Sequence, residues 1–219
     1  MKPYREMSKE ELLALKAELD ARYREVQAKD LHLDMSRGKP APEQLALSAP
    51  ILAGADMDYT CEDGSDARNY NHPLGIPEMR RLFGEILGVA PEQVIVGGNS
   101  SLNLLSDVFT RCMLLGPLPG DTPWAQLPRV KFICPTPGYD WHFHMLESYG
   151  VELLPVPTLA DGPDMDQVEA LARDPAVKGL ICVPMYGNPS GVTFSDEVVA
   201  RLARMETAPD FRIFWDNAY

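Results

Sequence analysis

From Pro77 to Tyr219 the sequence alternates short apolar runs with amphipathic stretches of helical period. No other feature restricts the fold as much. Parallel strands cannot be joined by tight turns; they need crossovers of about a dozen residues, most often helical. The alternation therefore predicts βαβ units and an α/β fold around a mostly parallel sheet. The expected strands are Val94–Val96, Val130–Cys134, Val151–Val156, Leu180–Val183 and Phe211–Trp215. Runs such as Leu180-Ile181-Cys182-Val183 are continuously apolar, as strands covered on both faces must be.

The helices between them carry their own start and stop signals. Pro77 suits a first helical position, Met79, Leu82, Phe83 and Ile86 share a face, and Gly88 supplies a left-handed stop. Ser101–Leu115 places Leu102, Leu105, Phe109 and Cys112 on one side. Tyr139–Tyr149 closes at Gly150, Asp164 caps a helix through Leu171, and Ser195 caps one through Met205. Pro117, Pro119, Pro123 and Pro128 mark an insertion loop. Upstream, Ser8-Lys9-Glu10-Glu11 is a capping box that opens a helix with Leu12, Leu15, Leu19, Tyr23 and Val26 at helical spacing. The stretch from Leu33 to Pro73 has few periodic apolar residues and is long for a plain connection, so short elements or a functional role are expected there.

Composition narrows the function. Among 219 residues, 20 Lys and Arg face 32 Asp and Glu, giving a net charge of −12. Nucleic acids and anionic membranes are unsuitable partners, because phosphates are gripped by clustered cations. No apolar run is long enough to span a bilayer, and the N-terminus has no apolar signal core, so a cytoplasmic location is expected. Cys61, Cys112, Cys134 and Cys182 form no C-x-x-C pair and read as buried, reduced thiols. His142 and His144 are two apart on a helix and point in different directions, so no metal site is expected.

In an open parallel sheet, ligands bind beyond the carboxyl ends of the strands. Four such ends carry usable chemistry. Gly97-Gly98-Asn99-Ser100-Ser101 opens a helix and can cradle an anion. Tyr139, after Pro135-Thr136-Pro137-Gly138, can stack on a planar ligand. Asn188, held extended by Pro189, can offer an amide. Asp216 ends an apolar strand, where a carboxylate needs a cation or several donors. Each feature alone also suits a plain cap, rim or turn residue. One ligand satisfies all four: pyridoxal 5′-phosphate. Gly187-Asn188-Pro189-Ser190-Gly191 is no nucleophile elbow, and no G-x-G-x-x-G follows a strand, which disfavours hydrolase and nicotinamide readings.

These segments resemble a known family. Tyr186-Gly187-Asn188-Pro189-Ser190-Gly191 and Trp215-Asp216-Asn217-Ala218-Tyr219 look like motifs of fold-type I, pyridoxal-phosphate-dependent aminotransferases of class I/II. Asn69-Tyr70-Asn71-His72-Pro73-Leu74-Gly75 and Ser36-Arg37-Gly38-Lys39-Pro40 resemble two further family segments. Their details resemble the bacterial aspartate-aminotransferase-like branch grouped with MocR-type aminotransferase domains.

The resemblance implies a three-layer αβα large domain over residues 51–219, with residues 1–50 as an N-terminal helix and arm of a small domain. It implies that Asn99, Ser100 and Ser101 hold the phosphate and that Tyr139 stacks on the ring. Asn188 and Tyr219 would bond the phenolic oxygen, and Asp216 the pyridine nitrogen. Tyr70 would reach the phosphate of a neighbouring subunit in a homodimer, and Gly38 would border the substrate carboxylate. Arg37 and Arg68 are further candidates for that carboxylate. The reaction implied is transfer of an amino group between an amino acid and a 2-oxo acid. A β-lyase or decarboxylase would use the same cofactor residues. A non-catalytic effector-binding domain of a regulator is a third reading, although the segment before Leu33 has room for only one helix. None of the seven lysines lies in the context of the family's Schiff-base lysine, so the sheet is expected to be incomplete and the chain inactive by itself.

Overall fold

The structure is a computed structural model, described here over residues 2–33, 38–53 and 57–219. The chain divides into two units, Met1–Asp58 and Tyr59–Tyr219.

In the first unit, helix α1 (Lys9–Gln27) begins at the expected capping box. Ser8 Oγ accepts from the Glu11 N–H at 3.2 Å, and the Glu11 carboxylate accepts from the Ser8 N–H at 2.6 Å. No residue of α1 is buried. Short elements do interrupt the proline-rich stretch: α2 (Pro42–Ala46) and α3 (Ala49–Leu52), each with a proline in its first turn. Ser36 and Arg37 lie outside the described residues.

The second unit holds a five-stranded sheet of order β3-β2-β1-β4-β5. Its strands are β1 (Lys131–Thr136), β2 (Glu152–Leu159), β3 (Gly162–Pro163), β4 (Val177–Cys182) and β5 (Arg212–Trp215). All pairings are parallel except the two-residue β2–β3 pair. Helices α4 (Pro77–Leu87), α5 (Ser101–Leu115), α6 (Asp140–Ser148), α7 (Met165–Ala172) and α8 (Asp196–Arg204) fall where the sequence places them. Gly88, at φ 67°, ends α4 in the left-handed conformation.

The sheet has a core on each face, which makes the unit three-layered. Ile133, Leu180 and Cys182 pack with Val168 of α7 and Val198 and Leu202 of α8. Phe132, Cys134, Ile181 and Phe214 pack on the other face with Phe109 of α5 and Leu146 of α6. Neighbouring residues of β1 and β4 thus enter opposite cores, which explains why these runs are apolar throughout. The aromatic rings of Phe109, Trp124, Phe132 and Phe214 meet edge-on or tilted at 5.4–5.9 Å between centroids.

One expected strand does not form. Val94–Val96 is extended, with Val94 buried and Ile95 70% exposed, but it joins no sheet among the described residues. The Val94 N–H closes the preceding turn on Pro91 O, and the Val96 N–H donates to Leu74 O. A β-branched run sets side chains for a strand, yet only a neighbouring edge makes it one. The β3 pairing was not anticipated from the sequence; two residues carry no period to detect.

Candidate functional site

The carboxyl ends of β1, β4 and β5 and the N-terminus of α5 meet at a cleft of about 180 Å³. Ser101, Tyr139, Asn188, Asp216 and Tyr219 all line it, with Val183 and Ala218 between them. Five of the side chains expected to bind cofactor therefore share one cavity. A smaller hollow adjoins it, also bordered by Tyr139, Val183 and Asn188, and reaches Cys182.

Asp216 is placed by the end of the sheet. Its N–H donates to Cys182 O at 2.9 Å, carrying the β4–β5 register one residue past the strand. Its side chain is 10% exposed, and a carboxylate so enclosed needs a donor. The donor is His142, 2% exposed, whose Nε2 lies 2.9 Å from Asp216 Oδ2. Sequence reasoning weighed His142 only as a metal ligand and missed this role. A signal was present: His142 and Leu146 are one helical turn apart and share the buried face of α6. His144 instead faces solvent and pairs with Glu147.

The other walls follow from local structure. Tyr139 precedes the first residue of α6, and its ring stands edge-on to His142 at 5.0 Å between centroids. Asn188 sits in a turn closed by Gly191 N–H to Gly187 O and by Tyr186 N–H to Thr193 Oγ1. The Thr136–Pro137 and Asn188–Pro189 peptide bonds are cis. Beneath the site the Cys182 thiol is pushed up to about 12 by burial, with the charge of Asp216 adding to the effect. It therefore stays neutral and inert at ordinary pH.

At the head of α5, Ser100 is the cap, its Oγ accepting from the Asn103 N–H at 3.4 Å. Ser101 follows it into the cleft, whereas Asn99 and Ser100 stand on the adjoining turn and do not line the cavity. The turn packs closely on the helix it opens: a Cβ on Gly97 would come within 2.2 Å of Leu104 Cδ2, so that side chain would have to move. Unsatisfied N–H groups at this helix start favour an anion.

Two expected residues, Tyr70 and Arg68, stand elsewhere in the second unit, and Gly38 lies in the first. Tyr70 is 95% exposed and lines no part of the cleft. Gly38 belongs to the first unit, where it is exposed. Arg68 is taken up by Asp66, with Nη2 to Oδ2 at 2.6 Å, and its guanidinium lies 4.7 Å over the Tyr59 ring. Two of the lysines are occupied at the amino ends of strands, far along the sheet from the cleft: Lys131 pairs with Asp174 and Lys178 with Asp210.

The fold and the cleft define a class: an open α/β protein whose site joins a helix N-terminus, an aromatic wall and an enclosed acid at the strand ends. The chain belongs to the aspartate aminotransferase family, whose model matches residues 7–219. It is 45% identical to an aspartate aminotransferase of Corynebacterium glutamicum over 92% of this chain and 47% of that protein. It is 26% identical to a 2-aminoadipate transaminase of Thermus thermophilus over 85% of this chain and 43% of that protein. A crystal structure of an aspartate transaminase from C. glutamicum superposes with a TM-score of 0.84 at 43% identity, covering 97% of this chain and 51% of the other. The chain thus spans about half the length of the curated relatives it matches. The fold is that of the large domain of fold-type I transferases. Among the described residues, no helix is long and apolar enough to cross a membrane.

Proposed function

We propose that this chain carries the cofactor-binding part of a pyridoxal-phosphate-dependent aminotransferase, which moves an amino group between an amino acid and a 2-oxo acid. The observation that carries the reading is the Asp216 carboxylate, held by His142 at 2.9 Å in the same cleft as Ser101, Tyr139, Asn188 and Tyr219. The donor set fits this cofactor: a carboxylate for a pyridine nitrogen, a ring for its face, an amide and a phenol for its oxygen, and a helix start for its phosphate.

Bound there, pyridoxal phosphate supplies a conjugated ring that accepts the electron pair freed at a substrate carbon. Asp216 holds a proton on the ring nitrogen, and His142, hydrogen-bonded to the far oxygen, keeps the carboxylate turned toward the ring. Ser101 and the first N–H groups of α5 would bind the phosphate, and Asn99 and Ser100 would add donors to it from the adjoining turn. Tyr139 covers a ring face and excludes water. Asn188 and Tyr219 donate to the phenolic oxygen. Tyr70 extends from its loop to a second copy of the protein, so the working assembly is a homodimer, and Gly38 borders the substrate carboxylate. Residues 1–50 belong with the small domain and residues 51–219 with the large one. The protein works in the cytoplasm. The aminotransferase names of the relatives favour transfer over lyase or decarboxylase chemistry.

The test is reconstitution of the full-length protein with pyridoxal phosphate. A visible absorption band that shifts on adding amino acids, with keto acid formed only when a second oxo acid accepts the amino group, is expected. No band at any pH, or keto acid released without an acceptor, overturns the proposal.

A further inference from the structure

The loop that precedes α4 gathers three side chains of different chemistry, none of which lines the cleft. Cys61, Asp63 and His72 each bring one ligand atom to within 4.8 Å of the others. Backbone contacts fix the arrangement. Thr60 bridges Asp66 antiparallel, Cys61 N–H donates to Ser65 O at 2.8 Å, and Gly64 N–H donates to Cys61 O at 2.8 Å. His72 is tied to this turn through the Ser65 hydroxyl, which also reaches Asp63 Oδ1 at 2.6 Å.

The geometry is close to that of a bound ion. Zinc bonds of about 2.0–2.3 Å in a tetrahedron set ligand atoms about 3.3–3.8 Å apart. His72 Nε2 and Asp63 Oδ2 already stand 3.5 Å apart, and the Cys61 sulfur needs to close by no more than about 1 Å to join them. One thiolate, one imidazole and one carboxylate form a donor set for zinc, not for calcium or magnesium, which take oxygen alone. Cys61 is 5% exposed, while Asp63 and the His72 ring keep a solvent-facing side through which an ion can enter. A second acid stands beside the turn. Glu78 accepts from the Glu62 N–H through Oε1 at 2.6 Å, and its Oε2 is enclosed without a hydrogen-bond partner among the described residues.

We propose that Cys61, Asp63 and His72 form a zinc site that clips the loop carrying Tyr70. Binding forms bonds from zinc to Sγ, to an Asp63 oxygen and to Nε2, and releases the Cys61 thiol proton to solvent. The Ser65 hydroxyl gives up its contact with Nε2, and water takes the fourth position. The site stands apart from the cofactor reading and survives its failure.

The experiment uses the full-length protein, reduced, stripped with a chelator, dialysed against micromolar zinc and assayed for zinc per chain. The wild type retains one zinc per chain more than Cys61→Ser, His72→Ala and Asp63→Asn. Asp63 is partly in solvent, so Asp63→Asn keeps the fold and the comparison even if Cys61→Ser does not. Equal zinc in the wild type and Asp63→Asn or His72→Ala, or no zinc in the wild type, overturns the proposal.

Discussion

The pair that matters most at the scale of single residues is His142 and Asp216. A carboxylate 10% exposed at a strand end is stable only with its donor, and that donor comes from a helix 74 residues earlier. Removing the imidazole leaves the acid unsupported and takes away the ring against which Tyr139 stands edge-on. Hydrogen bonds to charged groups contribute about 1.5–3 kcal/mol, so His142→Ala is expected to weaken pyridoxal phosphate binding roughly ten- to a hundredfold in an absorbance titration. His142→Ala binding like the wild type would show that Asp216 needs no such support. This pairing was also the hardest part of the site to find in the sequence. Asp216 directly follows a strand, Tyr139 and Ser101 stand at helix starts, and Asn188 lies in the turn segment after β4, so position along the chain exposes them. His142 sits inside a helix, and only the folded sheet shows what its buried face meets. Asn99 and Ser100 share the motif of Ser101, yet the helix turns just one of the three into the cavity.

Element by element, the legible features are those with local causes. Ser8 with Glu11, Pro77, Gly88, Asp164 and Ser195 all start or stop helices as expected, because caps act within a turn. Val94–Val96 failed as a strand because a strand is a relation between segments, and no run of residues carries its own partner. The interior strand β4 gives a sharp test of packing. A Cβ on Gly179 would stand 2.3 Å from Arg212 O and 2.7 Å from the Phe132 ring. Overpacking of this kind costs about 1–3 kcal/mol, and here it also meets backbone, so Gly179→Ala should lower the unfolding free energy by about 3 kcal/mol or more, seen as a lower urea midpoint. An unchanged midpoint would mean that β4 and β5 are not in this register. Ser8→Ala, by contrast, touches only α1 and should cost about 1 kcal/mol of local helix stability, read by hydrogen exchange in residues 9–14.

At the scale of the whole second unit, stability depends on groups kept in one ionisation state. Lys178 is 7% exposed, and its Nζ lies 2.7 Å from Asp210 Oδ2. Asp210→Ala strands a buried cation and is expected to cost about 3 kcal/mol in denaturant unfolding, whereas Lys178→Met removes the charge and costs less. The reverse order would contradict the burial of Lys178. Cys134 and Cys182 are both pushed up to about 12 by burial. An unfolded thiol ionises near pH 9, so these groups leave stability untouched below that pH. As pH rises from 9 toward 12 the unfolded chain sheds protons that the folded one keeps, and the unfolding midpoint falls. A midpoint constant from pH 8 to 11 would place the thiols in contact with water.

The central claim is that a phosphorylated pyridine lies in the cleft with its nitrogen against Asp216. Crystals of the full-length protein grown with pyridoxal phosphate measure this directly. The account predicts a ring nitrogen about 2.7–2.9 Å from the Asp216 carboxylate, with the phosphate at the N-terminus of α5 beside Ser101. A ring bound away from Asp216, or turned so that its phosphate points from α5, would contradict it.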